Sequence, residues 1–195
     1  MKKLTAVFII AILAISCASA GIKFGATMTS KSNLTENTTG SVFSVNLSER
    51  DFWAGPPAPG SFGFTLASDF TFSVTFGQYQ ESQPIHADVG MSLLPGAMYS
   101  VRDGMTIHLL GGVRYTRVGY HGEMDKAQGW DKLLAIATIG ILGSSPVRVL
   151  ETVFDLGIKF KALGFGFQFA YPFWQKPVTD FKDGFAVSFY TFFNW

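Results

Sequence analysis

The stretch Gly184-Phe185-Ala186-Val187-Ser188-Phe189-Tyr190-Thr191-Phe192-Phe193-Asn194-Trp195 decides how the rest of the chain is read. Its odd positions carry Phe185, Val187, Phe189, Thr191, Phe193 and Trp195. Its even positions carry Ala186, Ser188, Tyr190, Phe192 and Asn194. Successive residues of a strand point to opposite faces, so one face is aromatic and oily while the other is mostly small or polar. In water such an aromatic row needs cover from a later segment, and the sequence supplies none after it. Hydrocarbon covers it directly, so the expectation is a strand that faces lipid.

The same two-residue rhythm recurs upstream. Ile22, Phe24, Ala26 and Met28 oppose Lys23, Gly25 and Thr27. Phe62, Phe64 and Leu66 precede a tight turn expected at Ser68-Asp69, after which Phe70, Phe72, Val74 and Phe76 alternate with small polar residues. Residues 88–102 and 105–120 form the next two expected strands, separated by a turn at Arg102-Asp103-Gly104. Pro95 lacks a ladder donor and should mark a bulge or a break in pairing. Phe154, Leu156, Ile158 and Phe160 then alternate with Asp155, Gly157 and Lys159. A turn near Ala162 leads into Phe165, Phe167, Phe169, Tyr171 and Phe173. Residues 31–59 and 121–152 read as long loops. The first is rich in Ser, Thr, Asn, Gly and Pro and ends in Gly55-Pro56-Pro57-Ala58-Pro59-Gly60, with Val42 to Leu47 as a short ribbon inside it.

The composition agrees with a barrel. Only 15 % of the 195 residues are charged, against about 25 % in soluble chains. Beyond the first twenty residues no run approaches the roughly 18 apolar residues that a membrane helix needs. Met1-Lys2-Lys3, the apolar run Ala6 to Ile15 and Ala18-Ser19-Ala20 have the three parts of a secretory signal peptide. The expected division is a signal peptide at 1–20 and an outer-membrane β-barrel domain at 21–195. Lipidation at Cys17 is the rival reading of the leader, and either way the mature domain has no cysteine chemistry. The formal charge is +1 with basic residues scattered, which argues against a nucleic-acid partner.

Eight cleanly alternating segments with short turns on one side and long loops on the other make an all-β, antiparallel, up-and-down transmembrane barrel. Promoting 42–47 and 133–142 to full strands would give ten instead. Lys or Arg facing lipid at mid-depth costs about 2–4 kcal/mol, so the charged face turns inward. That assigns Lys23, His108, Arg114, Asp155, Lys159, Gln168, Ser188 and Tyr190 to the lumen. Eight strands enclose an interior barely wide enough for side chains, so a packed or narrow lumen is expected rather than an open pore.

The last strand resembles the C-terminal signal strand that the bacterial barrel-assembly machinery recognises, with Gly184, Phe189, Phe193 and Trp195 as its features. A terminal Trp instead of Phe departs slightly from that pattern. Met91-Ser92-Leu93-Leu94-Pro95-Gly96-Ala97-Met98-Tyr99-Ser100, a short turn, and Leu110-Gly111-Gly112-Val113-Arg114-Tyr115-Thr116-Arg117-Val118-Gly119-Tyr120 are similar to the OmpW family of small outer-membrane proteins. The resemblance implies an apolar upper interior with a sideways exit for small hydrophobic molecules. Leu94, Met98, Leu110 and Val118, on the inward register, would line it. The apolar stretch 133–142 departs from the family pattern.

Other chemistry has little support. His86, His108 and His121 have no metal-ligand spacing, and no cofactor is expected. His86, Asp88 and Ser92 match the residue types of an acyltransferase barrel of the PagP type, but no motif supports catalysis, so no enzyme is expected. Gly164-Phe165-Gly166-Phe167 continues a strand and is not a phosphate loop. The leading functional expectation is passive transport of small hydrophobic molecules, with membrane lipid and the assembly machinery as partners. A surface-exposed structural or adhesive barrel acting through its outer loops is the alternative. A soluble, lipocalin-like barrel would instead turn the Phe rows inward. The sequence does not set the oligomeric state.

Overall fold

The computed structural model describes residues 21–33, 38–76, 85–119, 147–176 and 181–193. The expected signal segment, the stretch 133–142, His121 and Trp195 lie outside the described residues, as do the side chains of His86 and Val118. Eight strands are described: β1 (Gly21–Asn33), β2 (Thr38–Phe52), β3 (Phe62–Phe76), β4 (Ile85–Arg102), β5 (Met105–Gly119), β6 (Val147–Phe160), β7 (Leu163–Lys176) and β8 (Phe181–Phe193). Each pairs antiparallel with its sequence neighbour, and β8 pairs back onto β1 to close the barrel. Closure leaves no row of unpaired backbone groups, the condition a sheet must meet in hydrocarbon.

The strand number matches the expectation, but the strands are composed differently. Ser68-Asp69 is not a turn. Phe62–Phe76 is one strand, and Asp69 pairs with Arg50 on one side and Ser92 on the other. Residues 38–52 are not loop but a full strand, in register with β1 from Gly21↔Arg50 to Asn33↔Thr38. One strand split in two and one strand missed left the total at eight. Further on, β6 begins at Val147 rather than after 152, and β8 begins at Phe181.

These corrections change the connections. One end of the barrel carries both outer ends of the sheet, at Gly21 and Phe193, together with the link 53–61 and the turns after β4 and β6. The Pro-rich segment therefore lies at this terminal end, not in an outer loop. The opposite end carries the last residues of β1, β3, β5 and β7 and the first residues of β2, β4, β6 and β8. In the tight turns, Gly104 and Lys161 adopt positive φ (73° and 52°), and the Lys161 N–H donates to the Gly104 carbonyl. Pro95 pairs with Leu66 on the β3 side. On the β5 side the ladder passes from Leu93↔Val113 to Gly96↔Leu110 without changing register. The proline thus leaves a gap in the pairing but no bulge.

Polarity is inverted relative to a soluble protein. Phe24, Met28, Leu47, Met91, Leu109, Phe154, Tyr171 and Phe189 are exposed on the outer wall, while Lys23, Arg50, Asp69, His108, Asp155 and Gln168 are buried inside. The lipocalin-like arrangement, with Phe rows turned inward, is overturned. The burial matches a barrel whose outer solvent is apolar.

Candidate functional site

The interior is closed across its middle by a layer of charged side chains. Arg50, 1 % exposed, forks onto Asp69, donating Nε–H to Oδ1 at 2.6 Å and Nη2–H to Oδ2 at 2.7 Å. The same Nη2 donates to Asp155 Oδ2 at 2.7 Å, and Nη1 donates to the Tyr190 hydroxyl at 2.9 Å. Lys23 Nζ donates to Asp69 Oδ2 at 2.7 Å. Asp155 also accepts from Tyr190 (2.5 Å) and Gln168 Nε2 (2.7 Å), and lies 2.9 Å from His108 Nε2. Seven strands contribute: β1, β2, β3, β5, β6, β7 and β8. Two cations face two carboxylates, so the layer is neutral apart from the histidine. Buried charge is tolerable on that condition, paired and with its remaining hydrogen-bonding sites filled.

Aromatic rings pack against this layer on the side of the terminal end. Phe52 and His108 meet edge to face with centroids 5.3 Å apart, and Phe192 lies 5.9 Å from His108 and 6.2 Å from Phe52. The Arg50 guanidinium sits over the Tyr190 ring at 4.8 Å and Lys23 Nζ at 4.7 Å, geometry suited to cation–π attraction. Inward glycines make the space. A Cβ on Gly157 would strike the His108 ring, one on Gly164 the Phe192 ring, and one on Gly166 the Tyr190 ring. The Gly164-Phe165-Gly166 pattern thus has a packing reason. Ala67, Leu94, Leu110, Val153, Ala170 and Ala186 form the apolar part of the core, with Phe52 packed on it.

Toward the opposite end the lumen opens into a polar cavity of about 80 Å³. Its walls are mostly hydroxyls and amides that bond one another. Thr27 and Ser188 lie 2.6 Å apart, Asn46 donates to Thr27 at 2.6 Å, and Ser48 donates to Thr71 at 2.9 Å. Arg114 Nε donates to Glu151 Oε2 at 2.6 Å, joined by Thr116 at 3.1 Å, and Lys31 pairs with Asp183. The register of β1 against β8 shifts between Thr29 and Lys31. This irregularity brings Asp183 onto Lys31 although Phe185 and Phe189, of the same parity, face outward. Bulges re-aim side chains in this way.

The residues expected in the lumen are distributed as follows. Lys23, His108, Asp155, Gln168 and Tyr190 meet in the charged layer, and Ser188 and Arg114 line the cavity. Leu94 and Leu110 lie in the apolar core, Met98 is buried nearer the terminal end, and Lys159 is half-buried close to the turn after β6. On the terminal strand Phe189 and Phe193 are exposed on the outer wall, and Gly184 lies against Ser30. Asp88 accepts from Thr75 at 2.8 Å, and Ser92 is buried on the same strand. Among the described residues no group of His, Cys, Asp and Glu could hold a metal ion.

Sequence reasoning missed Arg50 and Asp69, the two residues that tie the layer together. Both fell in segments read as loop or turn. A signal was present: the apolar parity of Phe62, Phe64, Leu66, Phe70, Phe72, Val74 and Phe76 runs unbroken through Ser68. A true turn has no reason to preserve it.

No protein-family model and no curated protein sequence matches the chain. Solved structures of similar fold include the attachment invasion locus protein Ail of Yersinia pestis. That protein is 9 % identical, with a TM-score of 0.44, over 91 % of this chain and 98 % of its own. Neisserial surface protein A is 12 % identical with a TM-score of 0.48, over 90 % and 97 %. The outer membrane enzyme PagL is 10 % identical with a TM-score of 0.45, over 86 % and 97 %. At these values the likeness ends at the barrel, which the strand pairing of this chain already establishes.

Proposed function

We propose that this chain is a bacterial outer-membrane β-barrel that serves as a closed scaffold: it anchors in lipid and acts through the surface it presents outside the cell, not through its lumen. The observation that carries this reading is the charged layer, in which Arg50, Asp69 and Asp155 are almost wholly buried and bridge the barrel from wall to wall. Short turns are periplasmic and longer links extracellular in such barrels. On that basis the polar cavity faces outward and ends blind on the charged layer. Its volume exceeds the about 10–15 Å³ that admits one water and is far below the roughly 300–1,000 Å³ of ligand pockets.

Transport of small hydrophobic molecules, as the OmpW resemblance implies, has less support. Leu94 and Leu110 are packed in the core, and among the described residues the outer half of the lumen is lined mainly by hydroxyl, amide and charged side chains, with Val42 and Val149. Recognition by the assembly machinery is supported by the outward Phe189 and Phe193 of β8. The barrel has no catalytic role in this reading. Planar-bilayer recording on the refolded mature chain tests it: silent bilayers are expected despite complete folding. Steady ohmic current from the unmodified chain would overturn the closed scaffold and restore permeation as the function.

A further inference from the structure

Strand β7 changes parity as it approaches the end opposite the chain termini. Up to Phe173 its odd positions face out: Tyr171 and Phe173 are exposed, while Gln168, Ala170 and Pro172 are buried. The register with β6 then steps from Glu151↔Pro172 to Leu150↔Trp174, which leaves Phe173 as the extra residue of a bulge. Beyond it the even positions lie outside. Trp174 and Lys176 are exposed, whereas Gln175 is half-buried and accepts the Asp183 N–H at 3.1 Å. Without that extra residue Lys176 would share the inward parity of Gln168.

The bulge sets Lys176 directly opposite Arg148, and Arg148 in turn stands opposite Arg117 of β5. Arg148 is exposed beside the buried Val149, so it faces out. Side chains directly opposite on an antiparallel pair start about 4.5–5.5 Å apart, and like charges there repel. Among the described residues, no carboxylate of β5 to β8 offsets that repulsion. Glu151, Asp155 and Asp183 are instead bonded to Arg114, Arg50 and Lys31. The same registers align the next outward row as Tyr115, Leu150 and Trp174. Two residues along a strand span about 7 Å, so the cations stand just above an apolar shelf.

We infer that Arg148 and Lys176, with Arg117 next in register, bind the phosphate of a phosphorylated glycolipid in the outer leaflet, its acyl chains lying on Tyr115, Leu150 and Trp174. Arginine forks onto phosphate oxygens through parallel N–H bonds, and lysine adds a point charge. A phosphate between the two cations cancels the repulsion that the bulge creates. A soluble polyanion would meet the charges and leave the shelf unused, whereas an amphipathic lipid engages both rows. The inference rests on the outer-membrane reading, which places this end outside the cell, so its test reads insertion separately.

Flotation of phosphatidylcholine vesicles with the refolded mature chain reports insertion. The inserted barrel is then released in neutral detergent and titrated with lipid A carrying both phosphates, or with lipid A stripped of them. Native mass spectrometry counts the lipid bound per barrel. The phosphorylated form should bind about thirtyfold more tightly, the worth of two cations at an anionic leaflet. Arg148→Gln with Lys176→Gln should remove most of that preference. Arg102→Gln with Lys161→Gln, which removes two exposed cations of the terminal end, should keep it. A chain that floats but binds both forms equally overturns the site and leaves the barrel in the membrane. So does an Arg148→Gln, Lys176→Gln chain that keeps the preference. A chain that does not float overturns the membrane reading itself. Displacement of the lipid by inorganic phosphate or dextran sulfate at matched anion concentration would show that the shelf adds nothing, and overturns the lipid as occupant.

Discussion

Asp155 shows what a single side chain does in this lumen. It accepts from Arg50, Gln168 and Tyr190 and touches His108. Asp155→Ala would leave Arg50 and Lys23 facing one carboxylate, and removing one partner of a buried pair costs about 3–5 kcal/mol. Urea unfolding of the refolded barrel in lipid vesicles should show a loss of that size. Replacing Lys23, Arg50, Asp69 and Asp155 together by apolar residues of similar volume should cost far less, because no uncompensated charge remains. The same assay separates two kinds of glycine. Gly166→Val drives a side chain into the Tyr190 ring, and such overpacking costs about 1–3 kcal/mol. At Gly111 an added Cβ meets the Phe154 ring at an ordinary 3.6 Å, so Gly111→Ala should stay within about 0.5 kcal/mol of the parent.

At the scale of the element, β2 and β3 explain why the periodicity was easy to see in one place and hard in another. On β2 the outward row Phe43, Val45 and Leu47 gives way to Glu49 and Asp51, and the inward row is Val42, Ser44, Asn46, Ser48 and Arg50. Three apolar residues followed by charge resemble a loop with a short ribbon in it. Only pairing with β1 on one side and β3 on the other shows a full strand. On β6 the pattern is regular: Phe154 and Leu156 are outward and exposed around a buried Asp155. Phe154→Lys therefore places an ammonium in the outward apolar row, and where that row meets hydrocarbon near mid-depth the cost is about 2–4 kcal/mol. A reduced unfolding free energy in vesicles, with the parent circular dichroism spectrum, is the expected result. An unchanged value would mean that this face does not meet lipid.

For the whole molecule, two layers close the barrel: the charged side chains, and the rings of Phe52, His108 and Phe192 packed against them. Arg50→Ala combined with Phe52→Ala and Phe192→Ala removes wall-to-wall material from both, and should give stepwise current where the parent gives none. Arg50→Ala alone leaves the ring layer in place and should stay silent. The sequence determined the class of fold by itself, because the strand period of two separates faces without reference to any other segment: Phe154 from Asp155, Phe167 from Gln168, Phe189 from Ser188. It could not determine which inward residues meet. Cross-barrel neighbours depend on register and strand tilt, properties of the closed sheet and not of any one strand. Arg50 and Asp69, read as loop and turn when each segment stood alone, became the centre of the lumen once β2 and β3 were paired and the sheet closed on itself.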